Sequence, residues 1–288
     1  MSKPKVLVLG SSGMIGHQIF NTLNVSNDYL LYDFSYKNKL RDDSVSLDAR
    51  DEERFTASIN TIKPNIIINC IGILINGSQK DPKKAIFLNA YLPHKIASIA
   101  NSIDAKLIHI STDCVFSGNK NTPYQEDDLK DGSTIYAMSK ALGEINYDNH
   151  LTLRTSVIGP ELKLDGEELF HWFMNQSGDI SGYTKSIWSG VTSIELARAV
   201  EISIKKDICG MHHVTNNKPI SKFELLMIMN KVFAKNLSIL PIDGVVSDKS
   251  FVDTRNLLGN EIPSYEKMIL ELKEMIDNNK SLYSQYFF

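Results

Sequence analysis

Residues 5–9, KVLVL, are apolar on both faces that a strand would present, and the run stops at Gly10. This is the pattern of a buried parallel strand. Ile15, Ile19 and Leu23 then recur at helical spacing. Residues 29–32 read as a second strand and 45–47 as a short third. Phe55, Ile59 and Ile62 share one face of a predicted helix over 52–62, which Pro64 ends. Another buried strand follows at 65–71. A long helix disturbed by Pro93 is predicted over 81–102. The remaining pattern is a strand at 106–110, a helix at 135–147 and a strand at 151–154.

Alternation of this kind predicts an α/β fold, a Rossmann-like doubly wound parallel sheet with right-handed crossovers. Beyond Gly159-Pro160 the pattern loosens into a loop at 161–165, helices at 167–175, 193–205, 221–233 and 265–276, and a strand at 211–214. Ser221 followed by Glu224 three residues later reads as a capping box. The expected division is a dinucleotide-binding domain over 1–160, to which 190–215 returns. A smaller C-terminal substrate lobe is expected from 161–189 and 216–288.

Composition narrows the class only a little. The 288 residues are 42% hydrophobic and 23% charged, with a formal net charge of -3, which argues against a nucleic-acid surface. Cys70, Cys114 and Cys209 form no CxxC or zinc pattern, so reduced thiols, a cytoplasmic setting and no metal are expected. The apolar stretch 66–75 contains Asn69, Cys70 and Gly72 and is too short to span a bilayer.

The chemistry begins at Gly10, Gly13 and Gly16, which follow a strand and open a helix. A side chain at the first would block the turn, at the second would hold the backbone off a pyrophosphate, and at the third would push the helix away. The helix N-terminus, with Ser12, Met14 and Ile15, offers N–H groups to phosphates. Asp33, at the end of the second strand, suits a ribose and favours NAD. Lys37 could meet a 2′-phosphate and favours NADP, or be a solvated surface lysine. Asp48 and Ala49 could line the adenine. NAD and NADP both stay open.

Tyr136 and Lys140 lie four apart, on one face of a predicted helix. An ammonium beside a phenol brings it toward the range of useful proton transfer. A second pair of this spacing, Tyr91 and Lys95, has Pro93 inside it and reads as a helix surface pair. Thr112 ends a strand 24 residues before Tyr136. It could be a catalytic hydroxyl or a turn cap.

The glycine motif, STDCVFSG (111–118), PYQEDD (123–128), IYAMSKALGE (135–144) and LRTS (153–156) together resemble the extended short-chain dehydrogenase/reductases. Within them the resemblance is to the dTDP-4-dehydrorhamnose reductases and related nucleotide-sugar 4-ketoreductases. The resemblance is dense over 5–160 and thinner beyond. The run 182–192 is similar to a branch handling nucleotide-linked acetamido sugars.

The resemblance implies NAD(P)H-dependent reduction of a 4-keto group on a nucleotide-linked 6-deoxy-hexose, for bacterial surface polysaccharide. Thr112, Tyr136 and Lys140 would be catalytic, with Ser111, Cys70, Ile71 and Gly72 beside the cofactor. Asp113, Cys114, Arg154 and Trp188 are substrate candidates, the last three each with a structural alternative. Arg154 could instead cap the sheet, and Trp188 could be a core lid. Asp113-Cys114 replaces the Asp-Glu of nucleotide-sugar dehydratases, which argues against dehydration. Cys114, helped by His171, leaves an epimerase-reductase open. A non-catalytic nucleotide-binding regulatory subunit is a further alternative. A homodimer is allowed.

Overall fold

The computed structural model describes residues 3–256 and 262–287. Seven parallel strands form one sheet. In chain order they are β1 (Lys5–Leu9), β2 (Leu30–Ser35), β3 (Val45–Ser46), β4 (Ile66–Asn69), β5 (Lys106–Thr112), β6 (Leu151–Thr155) and the strand Gly210–His213. Across the sheet they run Gly210–His213, β6, β5, β4, β1, β2, β3. The winding reverses between β1 and β4, and α/β sheets bind ligands outside the strand ends at that place.

The run at β1 behaves as a two-faced strand must. Val6 and Val8 enter the core on one side of the sheet, Leu7 and Leu9 the core on the other. Helix α1 (Met14–Ser26) packs against the helix Ser193–Lys205 on the first side. Helix α2 (Glu52–Ile62) lays Phe55 and Ile59 into the second. Around 82–102 the backbone is α-helical at Pro82–Ala85, widens to a π-turn over Ile86–Tyr91, and resumes as an α-helix at Leu92–Ser102. The disturbance thus lies before Pro93. With no N–H on Pro93, the Asn89 carbonyl has no ordinary i+4 donor.

Several boundaries differ from the sequence reading. The helix predicted over 135–147 stops at Leu142, where Gly143 comes so close that a Cβ there would lie 1.9 Å from the Asn89 oxygen. The Ser221 capping box is present in both directions. Three strand pairings in the C-terminal part differ from the sequence reading. Asp179–Tyr183 pairs in parallel with Ser238–Ile242, and Ser186–Trp188 pairs with both Ile220–Ser221 and Ser247–Asp248. Among the described residues no helix is long and apolar enough to cross a membrane.

Candidate active site

Outside the carboxyl ends of β1 and β4 lies a cleft of about 280 Å³. Gly10 turns with φ +80°, and a Cβ there would meet the Cys70 carbonyl carbon at 3.1 Å. A Cβ on Gly16 would stand 2.2 Å from the Gly10 oxygen, so α1 rests directly on its own turn. Gly13 caps α1 without a side-chain hydrogen bond, leaving the first N–H groups to a ligand or solvent. Ser12, Gly13, Asp48, Ala49, Cys70, Ile71 and Gly72 line the cleft together with Gly10. A smaller pocket of about 110 Å³ shares Cys70, Ile71 and Gly72 and adds Ile15, Ser111, Tyr136 and Lys140. A bare glycine turn, an uncapped helix start and a continuous cleft fit a dinucleotide.

Three expected cofactor residues stand apart. The Asp33 carboxylate is buried, accepting from the Ser11 hydroxyl at 2.6 Å and from Arg41 at 3.0 Å, and it does not line the cleft. Lys37 is exposed over the Tyr36 ring, also outside the lining. Met14 starts α1 but borders neither pocket.

Asn89 joins the parts of the site. Its side-chain oxygen accepts from the Ile73 N–H at 2.9 Å, and its amide donates to the Ile73 carbonyl at 3.1 Å and to the Ser139 hydroxyl at 3.2 Å. The loop after β4 is thereby tied to the helix Ile135–Leu142. Thr134 caps that helix, accepting from the Ala137 N–H at 3.1 Å. Tyr136 and Lys140 both face the smaller pocket.

Lys140 is buried and donates to the Ile110 carbonyl at 2.8 Å. Burial lowers its ammonium to about 8, against the pull of Glu144 and Cys70. The Tyr136 phenol is pushed up by burial and by nearby Cys114, while the Thr112 hydroxyl beside it acts in the opposite sense. Thr112 donates to the Asp113 carboxylate at 3.1 Å and accepts from the Cys114 N–H at 3.1 Å. Thr112 ends β5 directly after Ser111, which borders the same pocket as Tyr136 and Lys140.

On the far side of Asp113 is a cavity of about 800 Å³, bordered by Ser156, Trp188, Lys222 and Lys249 among others. Burial raises the Asp113 carboxyl, and the two lysines draw it down. Burial lowers the Lys222 ammonium against the charges of Asp113, Cys114 and Glu168. Neither lysine was picked out from the sequence. Lys222 follows a helix cap and Lys249 lies in a late loop, and both read locally as solvated charges.

Other candidates are committed elsewhere. Arg154 is 1% exposed, with both prongs on Glu144, a bond to His213 and its guanidinium over the Phe116 ring. Its guanidinium also donates to the Glu126 carbonyl at 3.3 Å and lines neither the cleft at the glycine turn nor the large cavity, which corrects the substrate role. Ser111 donates to Glu144 at 2.7 Å while bordering the smaller pocket. Trp188 is buried against Tyr265 with one side on the large cavity. The Cys114 thiol is pushed up to about 12 by burial and by Asp113. His171, its suggested helper, is bonded to the Tyr286 hydroxyl at 3.0 Å. Tyr91 and Lys95 both face Glu52 on the surface. Among the described residues no cluster of metal-ligating side chains occurs.

A family model described as RmlD substrate binding domain matches residues 4–248. The Bacillus subtilis spore coat polysaccharide biosynthesis protein SpsK is 26% identical over 83% of this chain and 82% of its own length. A dTDP-4-dehydrorhamnose reductase from Shigella flexneri is 29% identical, the match spanning 52% of this chain and half of that protein. Methionine adenosyltransferase 2 subunit beta from Xenopus laevis is 24% identical over 80% of this chain and 72% of its own length. Among solved structures, a Bacillus anthracis dTDP-4-dehydrorhamnose reductase in complex with NADP superposes with a TM-score of 0.82. It covers 95% of this chain and 100% of that one at 24% identity, a likeness of fold.

Proposed function

From the premise that the chain belongs to the RmlD substrate binding domain family, we propose that it is an NAD(P)H-dependent reductase of a nucleotide-linked 4-keto-6-deoxy-hexose, serving polysaccharide synthesis. The observation that carries the reading is that Tyr136 and Lys140 share one pocket with Ser111, at the end of β5, and that this pocket joins the glycine-turn cleft through Cys70, Ile71 and Gly72.

The bound dinucleotide supplies a hydride. The chain's own residues do the rest. Gly10, Ser12 and Gly13 bring backbone against the pyrophosphate, with the α1 N-terminus behind it. Thr112 holds the ketone oxygen by a hydrogen bond. Tyr136 delivers the proton to that oxygen, a step worth about 10²- to 10⁴-fold in rate. Lys140 lies one helical turn on, and its ammonium favours the phenolate left behind. The lobe of 161–189 and 216–288 shapes the sugar-nucleotide cavity, with Lys222 and Lys249 toward its anionic part. A homodimer is consistent with exposed Ile86, Tyr91, Met138 and Leu142 on neighbouring helical segments.

The regulatory-subunit reading draws on the Xenopus relative, whose name is that of a subunit. The epimerase-reductase reading is disfavoured by the raised Cys114 thiol and the committed His171. One assay separates the three. Oxidation of NADPH by dTDP-, UDP- or GDP-linked 4-keto sugars is expected from the wild type and lost in Tyr136→Phe. Absence of turnover with every sugar would favour the subunit, and deuterium from D₂O on a carbon beside the ketone would favour the epimerase.

A further inference from the structure

Resting on the dinucleotide reading above, we propose that His109 is a positioning residue for the loop after β4, acting through Asn69. It holds the Asn69 amide in the one orientation that fixes the Cys70–Ile71 peptide against the glycine turn. Asn69 and His109 are register partners on β4 and β5. Each lies two residues after a member of the second core, Ile67 and Leu107, so both side chains leave the sheet on that side. Both residues are wholly buried. A polar pair in an apolar layer must satisfy itself, and the bonds of this pair have a direction.

The Ile71 N–H donates to Asn69 Oδ1 at 3.1 Å, so the amide oxygen faces the loop. The amide nitrogen therefore faces His109, whose Nδ1 lies 3.1 Å away. An amide nitrogen only donates, so Nδ1 accepts and the neutral ring carries its proton on Nε2. Burial, with the charges of Lys140 and His94, holds the ring well below its ordinary pKa and keeps it neutral. The Nε2–H has no hydrogen-bond partner among the described residues. A buried donor left unmade weakens a fold, and an apolar residue here would remove it. What the histidine adds is an acceptor for Asn69. The peptide fixed in this way is the one the glycine turn rests on. A Cβ on Gly10 would meet the Cys70 carbonyl carbon at 3.1 Å and the Ile71 nitrogen at 3.2 Å. Cys70, Ile71 and Gly72 border both the dinucleotide cleft and the pocket of Tyr136 and Lys140, and none of them borders the large cavity.

The first measurement is nitrogen NMR of the wild-type chain with labelled histidine. His109 should show a protonated Nε2 and a bare Nδ1, and the reverse tautomer overturns the proposal. The second is calorimetric titration of the whole chain with NADPH. His109→Leu and Asn69→Ala should each weaken binding about tenfold, since each frees the same peptide. The double variant should also lose about tenfold, because the two residues act as one unit. His109→Gln, whose amide oxygen can still accept from Asn69, should stay within about threefold of the wild type. Unchanged affinity in His109→Leu, or a loss near a hundredfold in the double variant, overturns the proposal and leaves the dinucleotide site standing. So does a collapse of the thermal midpoint in both His109→Leu and His109→Gln, which would make the histidine a support of the core at large. If the wild type binds neither NADPH nor NADH, the dinucleotide reading itself fails, and this proposal with it.

Discussion

Arg154 and Glu144 form a buried two-pronged ion pair behind the strand end that carries Thr112, at 2.9 Å from Nε and 2.7 Å from Nη2. Ser111 donates to the same carboxylate, and Lys130 approaches it at 3.1 Å. Burial alone would raise the Glu144 carboxyl, but the Arg154 hydrogen bonds and charge hold it below the ordinary range. The remaining Arg154 prong meets His213 Nε2 at 2.7 Å, and the His213 N–H on Nδ1 goes to the Val252 carbonyl at 2.8 Å. That ring must be neutral to accept from a guanidinium, in keeping with a pKa that burial and Arg154 lower to about 4.

Removing the carboxylate strands a buried guanidinium, which typically costs about 3–5 kcal/mol. Glu144→Gln should therefore lower stability by that order in urea denaturation. It should also reduce turnover, because Ser111 loses its anchor one residue before Thr112. A denaturation midpoint equal to the wild type would show that the pair holds nothing in place.

Lys140 trades stability for chemistry. Its folded pKa of about 8 lies below the ordinary lysine value of 10.5, so the unfolded chain binds more protons between these values. The buried ammonium thus destabilises the ligand-free protein below pH 8, by ~3 kcal/mol, and the cost is relieved as pH rises toward 10.5. Lys140→Met should abolish turnover yet stabilise the ligand-free protein at pH 7 by about 1–2 kcal/mol, after the bond to the Ile110 carbonyl is lost. Wild type minus variant stability should rise from pH 8 to 10. A flat difference would mean the ammonium is not strained.

The sheet was legible because its signals are local. KVLVL, the stripe of the helix Ser193–Lys205 and the Ser221–Glu224 box need only neighbours to be understood. The Ser238–Ile242 strand was not, since it is largely exposed, carries Pro241 and is held by pairing with a strand some 60 residues earlier. Thr112, Tyr136 and Lys140 could be proposed from spacing. Whether Arg154 turned toward a ligand or into the protein depended on Glu144 and His213, which reach it from separate elements. Lys84, Lys222 and Lys249 are ordinary surface residues until tertiary structure brings them to cavities.

Lys222 and Lys249 make a kinetic prediction. Both border the large cavity near Asp113, and both lie away from the glycine turn. If they hold the anionic part of the sugar nucleotide in ground and transition states alike, Lys222→Ala or Lys249→Ala should raise its KM about tenfold with kcat little changed. The KM for NADPH should stay within twofold. A fall in kcat at constant KM would instead put these lysines in the chemical step.

The segment near residue 283 reaches the glycine turn through one histidine. His17 Nδ1 lies 2.8 Å from the Gly13 carbonyl and Nε2 lies 2.9 Å from the Tyr283 hydroxyl. A carbonyl can only accept, so Nδ1 carries the proton and Nε2 accepts from Tyr283. Burial lowers the His17 pKa to about 4, with the Gly13 bond opposing. The folded value lies below the ordinary 6.5, so this stability is complete above pH 6.5 and is lost as pH falls toward 4. Tyr283→Phe leaves Nε2 buried without a donor, which costs about 1–3 kcal/mol. It should also raise the His17 pKa, seen by NMR titration, and make the acid loss of stability shallower. Because Gly13 borders the dinucleotide cleft, NADPH affinity should weaken several-fold while the KM for the sugar nucleotide stays constant. Equal weakening of both ligands would mean that the tyrosine supports the fold in general and not the turn.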